Sequence, residues 1–197
     1  MARAGLRKVV QFQDLAYGDE YLLQLERIAG LDRAPFDLTS EAAKHVANAM
    51  AYDDIIRVAD AKTRGGRRER IATETGAKPT NVMQVTEFLH PRAEEIVSLL
   101  PARMGARWAA NPRRMALIDR LFNRGRRMRT DRLFPFMALF FLGGIKGWRR
   151  RTLRHAQEQR HLEAWLNRAA ELATRDYALS VEVIRCRRLI KGYSDTH

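Results

Sequence analysis

Cysteine is almost absent from this sequence. The single residue, Cys186, excludes an internal disulfide framework and suits a reducing compartment, so a cytoplasmic location is expected. One thiol also excludes an iron–sulfur cluster held by this chain alone, because such clusters take several thiolates. A cysteine-type zinc site is excluded for the same reason. Cys186 lies on the apolar stripe of a helical stretch and reads as a small buried hydrophobe. Glycine and proline are sparse, 12 and 6 in 197 residues, which removes collagen-like and low-complexity classes.

Long apolar runs are missing too. The longest, "LFPFMALFFLGGI" (Leu133 to Ile145), falls short of the about 20 residues a spanning helix needs, so no transmembrane segment is expected. It reads as a buried core helix, with a membrane-surface or subunit-interface helix as the lesser reading. The opening "MARAGLRKVVQF" has no apolar signal core, so no secretory leader is expected.

Catalytic signatures are equally scarce. There is no GxGxxG, P-loop, GxSxG or HExxH pattern. Of His45, His90, His155, His161 and His197, no two have the one-turn spacing of a helical metal pair. Asp53–Asp54 and Glu94–Glu95 are neighbours, and neighbours on a helix face different ways. They read as surface solvation and dipole matching. The sequence therefore nominates no catalytic residue, no metal ligand and no cofactor bound by this chain itself.

Helical periodicity is what the sequence has in quantity. "GLRKVVQFQDLAYGDEYLLQLERIAG" carries a helical apolar stripe that Gly18 is expected to kink or split and Gly30 to end. "LTSEAAKHVANAMAYDDIIRVADA" reads as one helix capped by Thr39 or Ser40, with Asp53 and Arg57 placed to pair. "TRGGRRER" breaks the pattern, so a mobile connection is expected near residues 62–70. "TEFLHPRAEEIVSLLPARMG" reads as a helix with Pro91 in its first turn and Pro101 ending it or starting the next turn. Pro112 opens a further short helix, and Asp176 caps the last one. No stretch alternates cleanly over strand length. The expected fold is all-α, an irregular bundle of roughly six to eight helices in a single domain over residues 1–197, its first and last helices closing one core.

Charge is the strongest departure from the ordinary. The net charge is +13, and arginine crowds "PRRMALIDRLFNRGRRMRTDR" and "KGWRRRTLR", with Trp108 and Trp148 interleaved. The arginine fork donates two parallel hydrogen bonds to carboxylate or phosphate. Arginine and tryptophan are also enriched at protein–protein hot spots. Arg113, Arg114, Arg149, Arg150, Arg151 and Arg154 are the candidates for an anion- or partner-binding surface. Autonomous nucleic-acid binding is the alternative reading, although no zinc finger or RNA-binding sheet motif is present.

Four stretches resemble one family. "MAYDDIIRVA", "TEFLHPRAEEIVSLLPARMG", "RRRTLRHAQEQRHLEAWL" and "DYALSVEVIRCRRLIKGYSDTH" are similar to the helical domain of long-form, beta-subunit-type indolepyruvate ferredoxin oxidoreductases. The likeness runs from about residue 6 to the end, with a serine at Ser194 where glycine is expected, and "GYSDTH" reads as the cut end of an excised domain. The resemblance implies a parent enzyme that oxidatively decarboxylates arylpyruvates to acyl-CoA. Thiamine diphosphate, iron–sulfur clusters, CoA and ferredoxin are implied for that parent, their motifs lying in other domains. For this chain it implies an accessory, subunit-docking role and no catalytic residue.

Overall fold

The structure, a computed structural model, describes residues 1–190 apart from Pro79 and Arg124, with Arg126 described by its backbone only. The terminal turn expected at Gly192, Ser194, and the tail carrying Tyr193, Asp195 and His197 lie outside the described residues.

In chain order the elements are α1 (Ala2–Phe12), α2 (Leu15–Ala29), α3 (Asp37–Met50), α4 (Ile55–Thr63), α5 (Arg67–Thr75), β1 (Thr86–Leu89), α6 (Ala93–Ser98), α7 (Ala102–Ala109), α8 (Pro112–Phe122), β2 (Arg126–Arg129), α9 (Leu133–Gly144), α10 (Leu153–Ala173) and α11 (Tyr177–Arg185). Short 3-10 segments cover Ile145–Arg151 and Cys186–Leu189. The expected all-α bundle of roughly six to eight helices is thus corrected: the described residues form eleven α-helices and a two-stranded antiparallel sheet.

The extra helices arise from aspartates that begin new ones. The first segment splits at Asp14 rather than at Gly18. The Asp14 carboxylate accepts the Tyr17 backbone N–H at 2.8 Å, which starts α2 and stops α1. Gly18 sits inside α2, at a position where a Cβ would come within 2.6 Å of the Val10 side chain. The second segment splits in the same way at Asp54, which accepts the Arg57 N–H at 2.6 Å. Thr39 and Ser40 do not cap α3 but lie within it. Asp32 accepts the Thr39 N–H at 2.8 Å from outside the helix, and Tyr177 donates to its other oxygen at 2.7 Å.

The strand is hidden in the sequence because its alternation is inverted. Thr86–Leu89 pairs with Arg126–Arg129, Thr86 opposite Arg129 and Leu89 opposite Arg126. Glu87 points inward and is buried, while Phe88 points outward with the Arg127 guanidinium 5.4 Å from its ring centre. A strand usually buries its apolar residues and exposes its charges. Here two cations compensate the inward carboxylate, so the apolar–polar rhythm gives no warning.

The chain divides into two compact units, one of residues 1–52 and 156–197, the other of residues 53–155. In the first, α1, α2, α3, α10 from Ala156 onward, and α11 close on a core that includes Val9, Tyr17, Tyr21, Val46, Leu166 and Ile184. The first and last helices do share this core. Its buried hydroxyls are satisfied: Tyr21 donates to the Ala43 carbonyl at 2.7 Å and Tyr17 to that of Met50 at 3.1 Å. Burial pushes the Tyr21 phenol up to about 12.

In the second unit, α4 lies along α9 with Ile56, Ala59 and Leu139 buried. A second small core joins Ala93, Val97, Ile118 and Leu153. The Leu133–Ile145 run is helical as expected, but it is not a buried core helix. Phe134, Phe140 and Phe141 are exposed, at 86%, 53% and 64%, because only one side of α9 meets α4. Among the described residues no helix is long and apolar enough to cross a membrane.

Candidate functional site

The six arginines singled out from the sequence all belong to the second unit. Arg113 and Arg114 occupy the exposed first turn of α8, where Asn111 accepts both their backbone N–H groups at 3.1 and 3.2 Å. Pro112 fills the first helical position, as expected. Arg114 stacks on Trp108 with its guanidinium 5.3 Å from the ring centre. Arg150 and Arg151 are exposed in the 3-10 segment, and Arg151 lies 5.4 Å over Trp148. Trp148 donates its indole N–H to the Leu99 carbonyl at 3.2 Å. Arg154 is half-buried. Trp108 packs against the core of α6, α8 and Leu153. The tryptophans act as rigid seats, holding the arginine planes by cation–π attraction.

Arg149 stands apart. It is 2% exposed and forks onto Asp54, Nε at 2.7 Å and a terminal nitrogen at 3.3 Å. Asp54 is therefore a buried partner, not the surface-solvating carboxylate its sequence position suggests. Its neighbour Asp53 does make the expected pair with Arg57, at 3.4 Å. Beside the Arg149 pair sits His155, also buried. Desolvation, then the Arg150 and Arg149 charges, push its imidazole down to about 4, against a smaller upward pull from Asp54. Thr152 donates its hydroxyl to the Arg149 carbonyl at 2.7 Å and accepts the His155 N–H at 3.2 Å. Leu153 donates its N–H to the Leu100 carbonyl at 2.9 Å.

A second centre was not singled out from the sequence at all. Glu87 of β1 accepts from Lys62 of α4 and from Arg67 at the start of α5. Next to this trio lies a cavity of about 360 Å³, lined by the basic Lys62, Arg64, Arg67 and Arg68 and by the apolar Ile71, Met83, Val85 and Phe136 among others. The only signal in the sequence was the "TRGGRRER" break itself, which reads as a connection rather than as a wall of a cavity.

In the first unit a smaller cavity, about 150 Å³, is lined by His161, Trp165, Cys186 and Ile190 among others. Cys186 is exposed, which corrects the buried-hydrophobe expectation. The α-helix ends at Arg185, and Cys186 begins the 3-10 turn that rotates it off the apolar stripe. Among the described residues no group of three or more histidine, cysteine or acidic side chains could hold a metal ion.

No curated protein and no solved structure matches this chain. One family model does, over residues 1–197, and the chain accordingly belongs to that family of unknown function, DUF6537.

Proposed function

We propose that this chain is a helical accessory domain of an indolepyruvate-type 2-oxoacid:ferredoxin oxidoreductase, working in the cytoplasm by docking onto other domains or another subunit of that enzyme. One observation carries the reading. Three stretches with the family resemblance, far apart in the sequence, interlock in the second unit. "MAYDDIIRVA" supplies Asp54, "RRRTLRHAQEQRHLEAWL" supplies Arg149, and the two pair at 2.7 Å. "TEFLHPRAEEIVSLLPARMG" joins them through Leu100, which accepts the Leu153 N–H, and through the bridge between Pro101 and Thr152. The stretches that carry the resemblance are those that build the frame, which fits a domain valued for the surface it presents.

That surface carries Arg113, Arg114, Arg150 and Arg151, two of them seated on tryptophans. It suits an acidic protein partner. Decarboxylation and electron transfer in the proposed parent would be the work of thiamine diphosphate and iron–sulfur clusters bound elsewhere. The single thiol of this chain does not fit a cluster that takes four thiolates, and no step of that chemistry runs through its residues.

The test is affinity capture from source-cell lysate with this chain as bait, compared with a variant carrying R113E, R114E, R150E and R151E. The expected prey is a large protein with iron–sulfur absorbance and bound thiamine diphosphate, retained by the native chain and lost by the variant. Recovery of nucleic acid that resists physiological salt, without such a protein, would overturn the docking role and favour the nucleic-acid reading.

A further inference from the structure

We propose that the cavity bounded by α4, α5, α9 and the segments before β1 and after β2 in the second unit binds a small organic oxyanion, a carboxylate or phosphate ester carrying an apolar body. This assignment stands independently of the oxidoreductase role.

Charge is the first ground. Four cations line the cavity, and only some are neutralised from within. Glu87 holds Lys62 and Arg67, and Asp60 holds Arg64 at 2.6 Å. The one acid in the lining, Asp131, is engaged by Arg129, with its own carboxyl held below the usual carboxylate range by that hydrogen bond despite desolvation. Arg68 makes no side-chain ion pair or hydrogen bond among the described residues, so its fork is available to a ligand.

An unmet donor is the second. The Nε of Arg67 is buried and has no hydrogen-bond acceptor. A buried guanidinium N–H left without a partner costs free energy, and native structures rarely keep one without a reason. Arg67 also lines the cavity, and a small turn of its side chain would bring this nitrogen to an oxyanion bound there. A merely solvated basic face would leave this nitrogen in water, not buried.

The backbone points the same way. Gly66 caps α5 with no side-chain acceptor, so the positive end of this nine-residue helix is open to an anion. Gly65 has no atom within 4 Å of where a Cβ would stand, which leaves the backbone approachable beside Arg64 and Arg67. Glu69 in the first turn of α5 competes for this helix end, its carboxylate 3.9 Å from a Cβ placed on Gly66.

The apolar part of the lining decides the ligand's other half. Ile71, Met83, Val85 and Phe136 offer no charge, and the Thr63 and Thr130 hydroxyls are spent on backbone carbonyls. An inorganic ion would leave this wall wet, whereas an aryl or branched alkyl body would cover it. The volume, about 360 Å³, falls in the usual range for small-molecule sites.

Titration calorimetry on the full 197-residue chain tests the proposal. Phenyl phosphate and benzoate probe the two oxyanion sources. Inorganic phosphate and benzyl alcohol each supply one half of the ligand. Expected is saturable one-to-one binding of phenyl phosphate, benzoate or both, at least about tenfold tighter than either half-ligand. Whichever aryl anion binds more tightly identifies the oxyanion class. R68E should weaken that binding at least about tenfold and leave the melting temperature unchanged, since Arg68 has no ion pair or hydrogen bond to lose among the described residues. R68Q should weaken it less. Absence of saturable binding by both aryl anions, equal binding of inorganic phosphate, or indifference to R68E would each overturn the assignment.

Discussion

Arg149 and Asp54, 95 positions apart, form a buried two-pronged ion pair at 2.7 and 3.3 Å. The same Asp54 carboxylate caps α4 through the Arg57 N–H. One side chain therefore begins a helix and anchors the 3-10 segment that carries the exposed arginines.

Breaking this pair from one side strands a buried charge. Arg149→Met alone is expected to cost about 3–5 kcal/mol, and Asp54→Asn, which keeps a capping oxygen, somewhat less. The double variant should cost clearly less than the sum, because no charge is then left alone. Urea midpoints for the three variants check this. Strict additivity would show that the two groups do not depend on each other.

His155 makes stability fall in mild acid. Its folded value, about 4, lies below the ordinary imidazole value of 6.5, so the unfolded chain takes up this proton first. Above pH 6.5 both states are neutral there and the group contributes no slope. As pH drops from about 6.5 to 4 the unfolded state gains, by at most about 3 kcal/mol, and below that the effect is flat. Arg149, Arg150 and Asp54 face the imidazole, and H155Q should remove most of the slope. His45, lowered chiefly by burial and then by Lys44, slopes in the same direction and accounts for a remainder. Denaturation midpoints at pH 7.5 and 5 for both proteins measure it.

Two adjacent glycines should respond oppositely to alanine. A Cβ on Gly143 would stand 2.9 Å from the Asp60 Cα, where α9 lies against α4. Gly143→Ala is expected to destabilise by about 1–3 kcal/mol. Gly144 has open space and a right-handed helical backbone, so Gly144→Ala should stabilise by about 0.5–1 kcal/mol. Equal melting shifts of the same sign would contradict the close approach of the two helices.

Glu87→Gln tests the inverted strand. It leaves Lys62 and Arg67 without their carboxylate and should cost about 1–3 kcal/mol, as hydrogen bonds to charged groups do. Phe88→Thr, on the exposed side, should be within about 0.5 kcal/mol of neutral. Thermal denaturation of the two variants ranks them, and the reverse order would mean that the strand faces the other way.

Punctuation with a local mechanism was legible. Pro112 after Asn111, Gly30 after α2 and Asp176 before α11 each act within one turn. The splits at Asp14 and Asp54 use the same chemistry, but each falls inside an apolar stripe that keeps its helical phase across the break, so periodicity masks them. Glu87 was opaque for another reason. Nothing near it in sequence marks it as buried, since Lys62 and Arg67 come from 25 and 20 positions away. The candidate arginines were found by composition, yet composition cannot separate Arg150, which is exposed, from its neighbour Arg149, which is not.

By itself the sequence determined where most helices lie, the basic surface and the poverty of thiols, because these follow from side-chain type and spacing within a turn or two. Tertiary structure alone decided which carboxylate is buried, which arginine is withdrawn, that α9 keeps an open apolar side, and that the Gly65–Gly66 break walls a cavity. Each of those depends on a contact spanning tens of residues. A charge's fate is set by whether a distant partner compensates its desolvation.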